Sequence, residues 1–193
     1  MKSISKDFDL KRFVSLNIRE LTLFAILIVI AILVQVRTGG RFLSGSNLND
    51  LLRETAILMM VSVGMMMVIL TGCIDLSLGS TMGLAGMICA LTLRDHRETP
   101  IIVIVLIALG IGLLAGLLNG FIVAKLRIFP LIGTLGVCDM MRGLVYVFSK
   151  GAWVGQGDMT QEFMSISTGK VLGINNLVFI AIIITIMRSE EHT

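Results

Sequence analysis

The segment Val68-Ile-Leu-Thr-Gly-Cys-Ile-Asp-Leu-Ser-Leu-Gly-Ser-Thr-Met-Gly-Leu-Ala-Gly86 places polar side chains between two apolar stretches. The polar residues that follow Gly72 are Asp75, Ser77, Ser80 and Thr81. A charged side chain at the centre of a bilayer costs about 2.5–3.5 kcal/mol on insertion scales, so it usually faces other helices, a water-filled path or a membrane edge. Gly72 and Gly79 flank the cluster, which favours a break between two helices.

The composition of the chain is that of a polytopic membrane protein. Of its 193 residues, 55% are hydrophobic and 15% are charged, and the mean hydropathy is +0.94. These values are far more apolar than those of a soluble domain. The net charge is +3, but the basic residues are spread over the termini and loops, which argues against a nucleic-acid-binding surface. We therefore predict an all-α transmembrane helix bundle with lipid as its surroundings.

No motif in the sequence indicates catalysis, a cofactor or a metal. A P-loop of the form Gly-x-x-x-x-Gly-Lys-[Ser/Thr] is missing, as are His-Glu-x-x-His, Gly-x-Ser-x-Gly and Cys-x-x-Cys. Cys73, Cys89 and Cys138 are far apart and lie in apolar segments, which is typical of small buried hydrophobic residues. The prediction is a protein that is not an enzyme.

Apolar runs predict about five complete spans and a short sixth. The predicted spans cover residues 18–36, 56–71, 76–93, 101–124, 129–148 and 174–187. Residues 1–17 are basic and are predicted to form a cytoplasmic segment, leaving residues 18–187 as the membrane domain. With the N-terminus inside, lysines and arginines number seven on each side when the N-terminal segment is included, so this orientation rests on the N-terminal cluster alone.

The connections between spans carry three further predictions. Residues 47–53 could form a short interfacial helix, and Trp153 in the long polar connection of residues 149–173 fits an interfacial anchor. At residues 188–193, Arg-Ser-Glu-Glu-His-Thr, the composition changes abruptly, and these residues match the translated start of a common sequencing-library adapter. We therefore expect a non-native tail here and a natural chain that continues beyond Met187.

Small residues predict close helix packing on two spans. The third span is rich in glycine, and in the fourth span glycine recurs every four residues. Small residues let helix backbones approach closely in a membrane. The residues concerned are Gly79, Gly83, Gly86, Gly112, Gly116 and Gly120.

Polar residues inside the spans are the candidate functional residues. Asn119 lies close to the glycine face of the fourth span, where its amide could bond across helices or meet a polar solute. Asp139 and Arg142 are three residues apart on the fifth span, so they could form an ion pair or take part in a transport path. Asp75 and Ser77 could instead cap the start of the third span.

Three blocks of the sequence resemble one known family. They are Ile69-Leu-Thr-Gly-Cys-Ile-Asp-Leu-Ser-Leu-Gly-Ser80, then Leu117-Leu-Asn-Gly-Phe-Ile-Val-Ala-Lys-Leu-Arg-Ile128, and Thr134-Leu-Gly136 with Arg142-Gly143. Their order and spacing are similar to those of permease subunits of bacterial ABC importers for ribose, arabinose, galactosides, rhamnose and autoinducer-2. Cys73 stands where the family usually has a second glycine, and Phe129 where a proline often precedes Pro130.

The resemblance implies an ATP-driven importer of a monosaccharide or similar small polar solute in the bacterial cytoplasmic membrane. It implies a permease of about ten spans, of which this chain is the N-terminal part. The implied partners are a second permease subunit, cytoplasmic ATP-binding cassette subunits that hydrolyse ATP, and an extracytoplasmic sugar-binding protein. Candidate residues near the path are Asp75, Ser77, Ser80, Thr81 and Asn119. The alternative is an ion- or proton-coupled secondary transporter, which also needs an isolated carboxylate and broken helices.

Overall fold

A computed structural model describes residues 18–171 and 174–190. The predicted cytoplasmic segment, residues 1–17, and the last three residues of the predicted tail lie outside this part. The helices are α1 (Ile18–Arg37), α2 (Gly45–Leu70), α3 (Leu78–Asp95), α4 (Ile101–Gly120), α5 (Pro130–Ser149), α6 (Gln161–Thr168) and α7 (Asn176–Glu190). A π-helical turn, Phe121–Lys125, follows α4, and a 3₁₀ turn, Gln156–Asp158, precedes α6. Strands β1 (Lys170–Val171) and β2 (Ile174–Asn175) pair antiparallel.

The predicted all-α bundle is confirmed. Within the described residues, four helices are long and apolar enough to cross a membrane: α1, α2, α4 with its π turn, and α5. The predicted third span is the helix α3, but it is not in this set. Its glycine, serine and threonine residues and the terminal Arg94 and Asp95 lower its mean hydropathy. The predicted sixth span is the shorter apolar helix α7, which continues past Met187 to Glu190.

The predicted interfacial helix at residues 47–53 is not a separate element. It forms the first turns of α2, which begins at Gly45 and runs without interruption to Leu70. The chain before α2 is held by side chains, since Asn47 Nδ2 donates to the Phe42 carbonyl over 2.7 Å. The contacts divide the chain into two units, with the boundary between Leu51 and Leu52. No residue of α1, in the first unit, is buried.

The second unit is organised around α3, which packs against both α4 and α5. One buried cluster joins the three helices and consists of Leu84, Ala115, Val137 and Met141. A second cluster, Cys89, Leu93 and Ile104, lies towards the C-terminal end of α3, where Met159 and Phe163 from the α6 region pack against it. The less apolar helix α3 is thus the one that has protein neighbours on two sides.

The end of α3 is charged and faces solvent. Arg94 Nε donates a 2.8 Å hydrogen bond to Asp95 Oδ1, which lowers the pKa of the Asp95 carboxyl below its ordinary value. Arg97 Nη2 reaches the Gly157 carbonyl over 3.4 Å and links this turn to the 3₁₀ segment. Exposed contacts of this kind contribute little stability, so the apolar cluster around Leu93 holds this end of the unit.

The predicted close packing at glycines is not found within this chain. Six glycines were predicted to pack closely, and a Cβ atom built on any of these glycines would meet no heavy atom within 4 Å outside the local helix. The six are Gly79, Gly83, Gly86, Gly112, Gly116 and Gly120. The helices instead touch through the larger side chains of the two clusters, and the glycine positions stay open. A glycine that does approach a neighbour is Gly133, where a Cβ would lie 2.7 Å from Ile122 Cγ2.

Candidate functional site

Four helix ends meet around the segment that stands out in the sequence. The C-terminal ends of α2 and α4, the α2–α3 turn, the π turn and the N-terminal end of α5 contribute residues to one cavity. The α2–α3 turn reverses the chain at Gly72, whose φ of +77° is readily adopted only by glycine. Cys73 does not have a positive φ, so the turn needs a single glycine and the departure from the family pattern is tolerated.

Asp75 organises this turn through its carboxylate. Its Oδ1 atom accepts hydrogen bonds from both the amide and the hydroxyl of Ser77, each 2.7 Å long. Ser77 is the N-cap residue of α3, but its side chain accepts no bond from the first turn of the helix. The capping interpretation therefore holds for Asp75, which binds the Ser77 amide, and is wrong for the Ser77 hydroxyl.

Asn119 joins the turn to α4. Its Nδ2 atom donates to Asp75 Oδ2 over 3.1 Å and to Ser77 Oγ over 2.7 Å. Both partners of the shorter bond are buried, with Ser77 1% and Asn119 8% exposed. Three predicted candidates, Asp75, Ser77 and Asn119, are thus brought into direct contact. These two bonds link the α2–α3 turn to α4 across 42 and 44 positions of the sequence.

Thr134 adds α5 to the same network and was not among the predicted site residues. Its hydroxyl accepts a 3.1 Å bond from the Leu76 amide and lies 3.3 Å from the Ile74 carbonyl and 2.9 Å from the Pro130 carbonyl. The sequence signal was present, because Thr134 opens the third block of the family resemblance. A threonine in the first turns of an apolar helix carries no functional signal by itself.

The cavity beside this network has a volume of about 400 Å³. Its lining combines the polar residues Thr71, Asp75, Asn119 and Thr134 with apolar and small residues, including Val68, Cys73, Gly116 and Gly120. A carboxylate has acceptor capacity for about four donors. The three bonds from Ser77 and Asn119 therefore leave Asp75 able to accept a further donor from the cavity.

Ser80 and Thr81 lie one turn further along α3 and do not join this network. Ser80 Oγ donates to the Ser77 carbonyl over 2.8 Å and lines a different space, a groove between α3 and α5. Thr81 Oγ1 is buried without a hydrogen-bond partner, as is Asn119 Oδ1. The five predicted candidates therefore divide into a bonded set of three and two separate hydroxyls.

Asp139 and Arg142 lie away from the Asp75 network, on the exposed side of α5. Arg142 Nη1 and Asp139 Oδ1 are 3.9 Å apart, which is ion-pair distance but beyond a hydrogen bond. Within residues 18–171 and 174–190, no group of three histidine, cysteine, aspartate or glutamate side chains is arranged to hold a metal ion. The polar side chains that line the cavity beside Asp75 and the groove beside Ser80 thus include one carboxylate, one amide, three hydroxyls and one guanidinium.

Three curated proteins illustrate what the chain is similar to. It is 36% identical over 176 residues to the ribose import permease protein RbsC of Haemophilus influenzae, covering 90% of this chain and 52% of that protein. It is 34% identical over 164 residues to the xylose transport system permease protein XylH of Escherichia coli, covering 82% and 42%. It is 33% identical over 177 residues to the autoinducer 2 import system permease protein LsrC of an Enterobacter species, covering 92% and 47%.

The chain spans about half the length of the curated relatives it matches. No solved structure matches it. The sequence model of the family described as "Branched-chain amino acid transport system / permease component" matches residues 47–188, which include the Asp75 network, its cavity and the charged pair of α5. The chain therefore belongs to this permease family and is a multi-pass protein of the cytoplasmic membrane, not a member of an enzyme family.

Proposed function

We propose that this chain is part of the membrane-spanning permease of an ATP-driven importer for a monosaccharide or similar small polar solute. The observation that carries the proposal is the polar network of Asp75, Ser77 and Asn119 beside a cavity of about 400 Å³ among apolar helices. Polar groups at such a place have a cost, and they are usually retained where a polar solute or ion passes. Relatives named for ribose and xylose transport support a sugar as the solute.

The network suits a neutral solute with several hydroxyl groups. The cavity presents an acceptor on Asp75 together with hydroxyls on Thr71 and Thr134, and its remaining surface is largely apolar. Most ligand sites combine a mainly apolar lining with a few polar groups that fix orientation. In this proposal the Asp75 network also holds the α2–α3 turn, α4 and α5 together, so that the cavity has one shape.

The energy for transport comes from other subunits in this proposal. The sequence contains no P-loop, and the permease works with cytoplasmic ATP-binding cassette subunits, a second permease subunit and an extracytoplasmic sugar-binding protein. ATP binding and hydrolysis on those subunits switch the permease between outward-open and inward-open states. The solute site then alternates between the two sides of the membrane.

The experiment is uptake of radiolabelled ribose and xylose by cells that express the permease gene encoding this chain with its partner genes. Asp75→Ala and Asn119→Ala each remove bonds from the network, and we expect uptake to fall at least tenfold at equal amounts of permease in the membrane. Leu114→Ala, at an exposed apolar position of α4, is the matched control and should leave uptake within twofold. Unchanged uptake in both network variants would refute the role assigned to this site.

A further inference from the structure

Two charged residues lie near the middle of a helix that is long enough to cross the membrane. Asp139 and Arg142 are on α5, Pro130–Ser149, and their side chains are 71% and 73% exposed. The opposite side of α5 is the packed one, since Val137, Cys138 and Met141 are buried. Exposure of charge to lipid at mid-membrane depth costs several kcal/mol, about 2.5–3.5 for each group on insertion scales. This face of α5 is therefore unsuited to lipid contact.

The pair has hydrogen-bonding capacity that the described part of the chain does not use. The two side chains approach only to 3.9 Å, and neither forms a side-chain hydrogen bond with another described residue. A guanidinium has five N–H donors and a carboxylate has two acceptor oxygens. Such groups inside a membrane require water, a polar solute or polar protein atoms around them.

Open space lies next to the pair. A groove of about 360 Å³ runs between α3 and α5, and its lining includes Ser80, Arg142, Gly79 and Gly83. A Cβ on either glycine would meet no heavy atom within 4 Å. The groove thus combines a hydroxyl and a guanidinium with apolar side chains and with two glycine positions where no side chain fills the space.

We propose that this groove is a membrane-embedded part of the solute path, and that Arg142 and Ser80, which line it, and Asp139, which lies beside Arg142, bind hydroxyl groups of the passing solute. A sugar hydroxyl can donate to the Asp139 carboxylate and accept from the Arg142 guanidinium at the same time. The opposite charges cancel, so the pair favours a neutral polyhydroxyl solute over an ion. This inference rests on the proposed transport function and adds to the Asp75 cavity a second polar part of the same path.

Cysteine accessibility tests the inference directly. Single cysteines are introduced by Leu135→Cys, Gly143→Cys and Tyr146→Cys on the same face of α5 as the pair, in the assembled transporter with Cys73, Cys89 and Cys138 replaced by serine. Leu109→Cys and Leu114→Cys, at exposed apolar positions of α4, provide the controls. A charged, membrane-impermeant methanethiosulfonate reagent modifies thiols that water can reach. We expect the three α5 positions to react at least tenfold faster than the controls, and ribose or xylose to slow them.

The outcomes separate this inference from the proposed function. Slow reaction at all three positions, equal to that of the controls, would overturn the groove as a water-filled path even if ATP-driven uptake is normal. Fast reaction that neither sugar slows would overturn the assignment of sugar binding. If the unsubstituted transporter shows no ATP-driven uptake while the cysteine variants label as expected, the result counts against the proposed function alone. Labelling is measured independently of transport.

Substitution of the pair provides a second readout. Asp139→Asn and Arg142→Gln keep the approximate shape of each side chain and remove its charge. If these side chains bind the solute, the KM for sugar uptake rises at least fivefold while the amount of permease in the membrane stays constant. An unchanged KM with normal expression would show that the pair does not contact the solute.

Discussion

At the scale of single residues, Asn119 holds the site together because one amide group donates to two partners, the buried Ser77 and the half-buried Asp75. It bonds both Asp75 Oδ2 and Ser77 Oγ, and these contacts join α4 to the α2–α3 turn. Leucine at this position keeps most of the volume and removes both donor bonds. A buried partner left without its hydrogen bond costs about 1–3 kcal/mol, and more when it is charged.

We therefore predict that Asn119→Leu lowers the thermal unfolding temperature of the detergent-purified protein by several degrees. The matched control is Ser80→Ala, because the Ser80 hydroxyl donates only to a carbonyl of its own helix. The control should be close to the unsubstituted protein. Equal unfolding temperatures for Asn119→Leu and Ser80→Ala would show that the network contributes little to stability.

The sequence identified most of these residues but not their arrangement. Asp75 and Asn119 each stood out as a polar group among apolar residues, and 44 positions separate them. Their contact depends on how α3, α4 and α5 pack, which no local pattern contains. Thr134 was missed because a hydroxyl near the start of an apolar helix is unremarkable until Leu76 and Ile74 are placed beside it.

At the scale of elements, apolar run length predicted where the helices lie, to within a few residues. The predicted spans at residues 18–36 and 129–148 correspond to α1, Ile18–Arg37, and α5, Pro130–Ser149. The length of the apolar run did not predict where a helix begins when the helix continues through polar residues. The predicted span at residues 56–71 is the end of α2, which begins at Gly45. It also could not show which helix, if any, covers a small-residue face, and within the described residues no neighbour lies within 4 Å of a Cβ built on the glycines of α4.

Gly133 provides a test of the contact between α5 and the π turn. A Cβ there would lie 2.7 Å from Ile122 Cγ2, an atom too close to the backbone to move freely. Overpacking of this kind typically costs about 1–3 kcal/mol. We predict that Gly133→Ala lowers the unfolding temperature and that adding Ile122→Ala restores part of the loss. Gly136→Ala, with no atom within 4 Å, should unfold at or above the original temperature.

Loss of stability in Gly136→Ala equal to that in Gly133→Ala would contradict this account of the α5 contact. The control is informative because alanine is favoured over glycine in helices by about 0.8–1.0 kcal/mol. The two positions lie one turn apart on the same helix, so the substitution differs mainly in what the new methyl group meets.

Leu93 tests the far end of the second unit, where α3, α4 and α6 meet. Its side chain is 0% exposed and packs with Cys89, Ile104 and Phe163. Removing the buried atoms of a leucine typically costs about 2–5 kcal/mol. We predict that Leu93→Ala destabilises the purified protein strongly, whereas Leu109→Ala, at an exposed position of α4, changes the unfolding temperature little. Similar effects for both would show that this cluster is not a core.

At the scale of the whole molecule, large hydrophobic side chains are exposed on several helices. The large hydrophobic residues of α1 and the outer side of α4 are exposed, as expected for helices surrounded by lipid or further spans. Trp153 is 91% exposed, which agrees with the predicted interfacial anchor without testing it. The chain spans about half the length of its curated relatives.

The central claim is that a separate ATPase drives a polar solute through this permease. The most direct measurement is uptake of radiolabelled ribose and xylose by proteoliposomes that contain the permease, its ATP-binding subunits and its sugar-binding protein. The account predicts uptake that requires ATP and the binding protein and that persists when ionophores abolish all ion gradients. Uptake that proceeds without ATP and stops when a proton or sodium gradient is collapsed would contradict it.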